Sequence, residues 1–236
     1  MSRIIVGLLV VALILVAGAQ FFLPYVVERG AEAALNRVLG TGDLDVKLAT
    51  RPSLELLLGR IDVLSVKTTG IERGGLVVAE LTTTVRDLQV DLKTLFLEGK
   101  LKVLKTGRET TRLVVTESAL NDYLQAQLGK FQPRLGLGED GGVHFEAQLP
   151  IDRERGLEIS AAGRFIVTPA GTVAFAVDDL WLNGLEVDGE LRENLLQTFG
   201  PWYLTLDLES LPVPVKAEKV EIENDAVIIT GEPADD

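Results

Sequence analysis

Residues 143–167, VHFEAQLPIDRERGLEISAAGRFIV, decide how the chain is read. Val143, Phe145, Ala147 and Leu149 fall on one side; His144, Glu146 and Gln148 fall on the other. Beyond a charged turn, Leu157, Ile159, Ala161, Phe165 and Val167 alternate with Glu158, Ser160, Ala162 and Arg164. A period of two is a β-strand with one wet and one dry face. The function turns on what lies against the dry face.

The same signal recurs along the chain. Leu44, Val46 and Leu48 alternate with polar partners, and Ile61, Val63 and Val66 form a strand after a break at Gly59. In LVVAELTTTVRDLQVDL, Val77, Ala79, Leu81 and Val85 share one parity, whereas Leu88, Val90 and Leu92 share the other. One extra residue at Arg86–Asp87 restores a single dry face, which predicts a β-bulge and a curved sheet. GTVAFAVDDLWL changes phase at Asp178–Asp179, where a bulge or bend is likewise expected. Gly74–Gly75, Gly141–Gly142 and Asn224–Asp225 are turn dipeptides, the last joining two closing strands.

Helical spacing is rarer. PYVVERGAEAALNRVLG carries an apolar stripe at Val27, Ala31, Ala34, Leu35 and Val38. VTESALNDYLQAQLGKF carries one at Leu120, Leu124, Leu128 and Phe131, with Thr116 or Ser118 as cap. A third, short helix is expected around Leu191–Phe199. The fold class is therefore α+β: one strongly curved, mostly antiparallel sheet with a few helices on a single side. Three helices are too few to cover the dry face of eight or more strands. Residues 24–231 form a single domain and 232–236 an acidic tail.

Residues 4–23, IIVGLLVVALILVAGAQFFL, contain one polar side chain, Gln20. As a helix they span about 30 Å, the thickness of a bilayer core. Arg3 ahead of them sets the N-terminus inside and the domain outside the cytoplasm. Segment 1–23 thus reads as a transmembrane anchor. AGA at Ala17–Ala19 offers the alternative of a cleaved signal peptide and secretion. Either way the domain is extracytoplasmic. The chain has no cysteine, so no disulfide assists its core.

A net charge of −12 argues against nucleic acid, which needs a basic footprint. The charge is uneven. Residues 1–115 carry +3 and residues 116–236 carry −15. Lys93, Lys100, Lys102, Lys105, Arg108 and Arg112 cluster in the first part. They read either as a solvated strand edge protected from aggregation or as a contact for anionic headgroups.

Catalytic patterns are missing. The single histidine, His144, lies on the polar side of its strand, which makes a Ser-His-Asp arrangement barely possible. There is no phosphate-binding or dinucleotide fingerprint. Asp43 with Asp45, Asp178 with Asp179, and Asp207 with Glu209 lack the spaced oxygens of a calcium loop. Trp181 and Trp202 suit a core or an interfacial cavity mouth. The reading is of a protein that is not an enzyme and uses neither cofactor nor metal.

RPSLELLLGRIDVLSVKTTGI, VTESALNDYL and SLPVPVKAEKVEIENDAVIITG together resemble the LmeA-like family of bacterial phospholipid-binding proteins. The resemblance spans roughly residues 27–231. It implies an extracytoplasmic domain with a curved sheet wrapped over helices, akin to tubular lipid-binding modules, and phospholipid binding in the cell envelope. It brings no catalytic motif. Pro214, a second proline after Pro212, suggests an edge strand. The partners expected are a phospholipid or other acyl lipid and a membrane. Strand parity assigns the lipid lining to Val143, Phe145, Leu149, Ile159, Phe165, Val167 and Phe175. The rival reading is a structural or interaction protein of the envelope with a solid core.

Overall fold

A computed structural model describes residues 43–51, 53–91, 94, 102–150, 156–195, 205–206, 208, 211 and 214–234. The N-terminal segment 1–23, the helix read after it, Lys93, Lys100 and Trp202 lie outside the described residues. The strands are β1 (Asp43–Ala49), β2 (Arg60–Arg73), β3 (Leu76–Val90), β4 (Val103–Lys105) and β5 (Glu109–Thr116). Helix α1 (Glu117–Leu128) follows, then β6 (Arg134–Leu137), β7 (Val143–Pro150), β8 (Gly156–Val167), β9 (Val173–Leu182) and β10 (Leu185–Glu186). A second helix, α2, occupies 189–195. β11 (Thr205–Leu206), β12 (Val215–Glu223) and β13 (Ala226–Pro233) complete the fold.

The architecture is α+β and mostly antiparallel, but the strands divide into two sheets where the sequence suggested one. The first runs β1-β2-β3-β5-β13-β12, with β4 also on β3; the second runs β10-β9-β8-β7-β6, with β11 also on β9. The physical reason lies at α1. The chain leaves β5 into a helix, and β6 emerges to pair with β7 rather than rejoining β5. Large antiparallel sheets commonly relieve their twist by splitting. The chain forms two compact units, 1–68 with 82–110, and 69–81 with 111–236.

The turn and cap readings hold. Asn224 and Asp225 both have positive φ, 50° and 56°, as the two-residue turn closing Glu223 on Ala226 requires. Thr116 caps α1, its Oγ1 accepting from the Ala119 N–H at 3.3 Å. Leu120, Leu124 and Leu128 are buried and Phe131 packs against their cluster. Pro214 precedes β12, the edge strand of its sheet. β13 extends further than the sequence suggested. Glu232 and Pro233, assigned to the tail, pair with Lys216 and Val215.

Among the described residues three bulges each face a glycine, and a further register shift, between Val90–Val103 and Gln89–Lys105, leaves Leu104 unpaired in β4. In β3, Arg86 and Asp87 are both exposed and Asp87 has φ 52°. Val85, Leu88 and Val90 then share one cluster with Leu56 and Ile61, as expected around the phase slip, whereas at the start of β3 Leu76 and Val78 are buried and Val77, expected on the dry face, is exposed. In β9, Ala162 pairs with Asp179 but Gly163 with Val177, leaving Asp178 as the extra residue. In β12, Ala217 pairs with Gly231 and Lys219 with Thr230, leaving Glu218. A Cβ added at Gly107 would lie 2.6 Å from the Arg86 oxygen. At Gly163 it would lie 2.0 Å from the Ala176 oxygen, and at Gly231 2.1 Å from the Lys216 oxygen. A bulge pushes its backbone toward the neighbouring strand, and only glycine leaves the space.

Candidate functional site: the dry face of the second sheet

Residues directly opposite in an antiparallel pair share a face. Val143 opposes Gly163, Phe145 opposes Ala161, and Ala147 opposes Ile159. On the next strand Phe165 opposes Phe175 and Val167 opposes Val173, while Ile159 opposes Leu182. Six of the seven predicted residues are thereby on one face. Leu149 continues the same parity of β7, opposite Leu157. The bulge at Asp178 is what brings Val177 and Phe175 to the side occupied by Leu180 and Leu182. His144, Glu146 and Gln148 are exposed on the other face.

The face has two ends. At one end Val143, Phe165 and Val173 are buried with Leu120, Leu124 and Leu128 of α1 and with Val78, Leu113, Val115, Val227 and Ile229 of the first sheet. This is ordinary core. Phe165 meets Phe175 edge-on, ring centroids 6.1 Å apart, and Val167 packs at the margin. At the other end only Ala161, Leu180 and Val187 are buried in their cluster. Phe145, Ile159, Phe175, Val177, Leu182 and Leu195 surround them half-buried. Phe145 and Phe175 belong to both clusters and mark the boundary. Leu185, opposite Leu182, is 74% exposed, and Leu191 on α2 is 57% exposed.

The structure thus separates the predicted residues. Val143 and Phe165 are core, whereas Phe145, Ile159 and Phe175 border the half-covered end. Val177, Leu180, Leu182 and Leu195 also belong to that end and were missed. The signal for the first three was present: an extra residue at Asp178–Asp179 places them on the Phe175 side. Arg192 anchors α2 to the bulge, its Nη2 donating to the carbonyls of Val177 and Asp178.

Helix α1 also closes the free edge of β6. Asn121 Nδ2 donates to the Leu135 carbonyl at 2.8 Å, and its Oδ1 accepts from the Leu135 N–H at 2.8 Å. Glu117 Oε2 accepts from the Leu137 N–H at 2.8 Å. Side chains here imitate a neighbouring strand, a way of covering an edge that would otherwise template another chain.

A surface depression of about 570 Å³ lies between α1, β6 and β7, lined by residues such as Glu117, Asp122, Arg134, His144 and Glu146. Its walls are polar and apolar in about equal measure and include none of the seven predicted residues. Among the described residues no three His, Asp or Glu side chains converge on a metal position. No helix among them is long and apolar enough to cross a membrane.

Neither a curated protein nor a solved structure matches the chain. Residues 18–232 match the pattern of a single family over almost the whole length. The chain belongs to the LmeA-like phospholipid-binding family.

Proposed function

We propose that this is an extracytoplasmic, membrane-anchored phospholipid-binding protein that holds an acyl chain at the half-covered end of the second sheet. One observation carries the reading: the apolar face continues beyond its helix-covered core into a patch where six large side chains remain half-buried. Removing a methylene from water is worth about 0.8 kcal/mol, so an acyl chain binds such a surface without specific polar contacts. That agrees with a family named for phospholipid binding and with a sequence lacking catalytic patterns. The bulge at Asp178 favours curvature of this sheet around its guest. The anchor at 1–23, the location outside the cytoplasm and a role in maintaining the cell envelope rest on the apolar N-terminal sequence and the family's character.

Native mass spectrometry of the full chain, gently extracted from membranes, tests the proposal. The expected result is a population carrying the mass of one phospholipid. Ile159→Asp should abolish it, whereas Ile166→Asp, on the opposite face of the same strand, should leave it. A clean unliganded mass for the unaltered protein, at every extraction condition that preserves its fold, refutes the carrier.

A further inference from the structure

Exposed large aliphatic side chains gather at one end of the first unit. Leu58 is 66% exposed, Val103 47% and Leu104 53%. Backbone hydrogen bonds place them together. Leu58 precedes Gly59, whose carbonyl accepts from the Val90 N–H at 2.8 Å. Val90 pairs with Val103, and the Asp91 N–H donates to the Lys102 carbonyl at 2.8 Å.

The charge there is basic. Residues 102–108, KVLKTGR, carry Lys102, Lys105 and Arg108 and no acid. All three are exposed, and none is ion-paired among the described residues. Of the acids nearby, Asp87 beside Gly107 and Glu109 after Arg108 offset part of this charge and leave a basic excess, while Asp91 and Glu55 are occupied. Asp91 accepts from the backbone and hydroxyl of Thr94 at 3.2 and 2.9 Å. Glu55 faces Arg60 at 3.9 Å, and Asp87 sits at the bulge.

Lysine at a free strand edge discourages strand addition, which accounts for Lys102 and Lys105. It does not account for two consecutive aliphatics left in water between them. The register shift between Gln89–Lys105 and Val90–Val103 leaves Leu104 as the extra residue of a bulge, and it and Val103 both stay about half exposed. An interface into which the edge dips buries both.

We infer that this end, formed by Leu58, Val103 and Leu104 with Lys102, Lys105 and Arg108, docks on an anionic phospholipid surface. The inference rests on the proposed handling of phospholipid and names where the protein meets the bilayer. Charge sets the orientation. Residues 116–236 carry −15, so an anionic surface favours contact through the basic stretch 102–108 over contact through them.

The cysteine-free chain permits a direct test. Full-length Leu104→Cys and Ile166→Cys proteins, each carrying an environment-sensitive dye, are mixed with vesicles containing brominated lipids. The vesicles are phosphatidylcholine alone or with an equal part of phosphatidylglycerol. Quenching is expected at position 104 and not at 166, and more strongly with the anionic vesicles than with phosphatidylcholine alone, to which the apolar N-terminus can attach the chain without this end docking. It should weaken in high salt, where surface charges are screened. Lys102→Gln with Lys105→Gln should lower anionic partitioning by roughly 30-fold, from the usual contribution of about 1 kcal/mol per basic residue near such a surface. Equal quenching at both positions, or none at 104, overturns the inference. Sedimentation as a dimer without quenching overturns it too, and assigns the β4 edge to a second copy. Native mass spectrometry separates the two proposals. Bound lipid without docking sinks the inference alone, and docking without bound lipid sinks the carrier alone.

Discussion

Replacing Gly163 by alanine tests the geometry on which the candidate site depends. The new Cβ would sit 2.0 Å from the Ala176 oxygen, 2.9 Å from its carbonyl carbon and 3.0 Å from Phe175 Cε2. Ordinary contact begins at 3.4 Å, so backbone must retreat by more than an ångström. Neither strand is free to do so, because β8 is also paired with β7 along its length. Overpacking of this kind costs about 1–3 kcal/mol. Losing two ladder hydrogen bonds beside the bulge adds about 1 kcal/mol each. A total of about 4 kcal/mol, at a urea slope of about 2 kcal/mol/M, lowers the unfolding midpoint by about 2 M. Trp181, half-buried on β9, reports the transition by fluorescence. Gly136→Ala is the comparison, since a Cβ there meets nothing within 4 Å. It should be neutral or stabilising by about 0.5 kcal/mol, through a less flexible unfolded chain. A midpoint unchanged in Gly163→Ala, or equal losses in both variants, would falsify the assignment of Gly163 to the bulge.

Two other variants probe the helices and the rim. Asn121→Ala should cost about 2–3 kcal/mol in urea unfolding, because it strands both the N–H and the carbonyl of Leu135 at a covered edge; a loss below about 0.5 kcal/mol, the range of ordinary surface substitutions, rules out an edge-closing role. Leu185→Ser with Leu191→Ser should leave the unfolding midpoint nearly unchanged, since both side chains are exposed. The pair should still reduce the lipid-bound fraction in native mass spectra, and undiminished loading would place the acyl chain elsewhere.

How legible the fold was in the sequence depended on how local each cause is. A phase slip at Arg86–Asp87 is written in consecutive residues, and so are the Asn224–Asp225 turn and the Thr116 cap. The division into two sheets is not local. It depends on whether β6 pairs with β5 or β7, strands that each read as alternating. Asn121 and Glu117 lie off the leucine stripe of α1, and nothing near them in sequence reveals the open edge of β6. The glycines facing bulges were equally silent, since each answers a residue on another strand: Gly107 to Asp87, Gly163 to Asp178, Gly231 to Glu218. The dry face of 143–167 was legible as a face, but parity cannot distinguish its covered end from its open one. That distinction follows from where α1 packs, so Val143 and Phe165 carried the same signal as Phe145 and Ile159.

The commitments of the helices explain why one end stays half-covered. α1 is used on both sides: its leucine stripe fills the core around Val143 and Phe165, and its polar side closes β6 through Asn121 and Glu117. α2 covers less. Its Arg192 is held by the carbonyls that the Asp178 bulge exposes, and that contact fixes where the helix can lie. From there Leu195 reaches the patch while Leu191 remains in solvent. The bulge therefore has two linked effects. It turns Val177 and Phe175 onto the apolar face, enlarging the surface that needs cover, and it ties down the helix nearest to that surface. A sequence selected only for a solid core would gain by letting α2 roll Leu191 inward, since burying a leucine is worth about 1.5–3 kcal/mol. Holding it out by a hydrogen-bonded arginine fits the proposed carrier, in which an acyl chain covers the half-buried Leu182 and Val177.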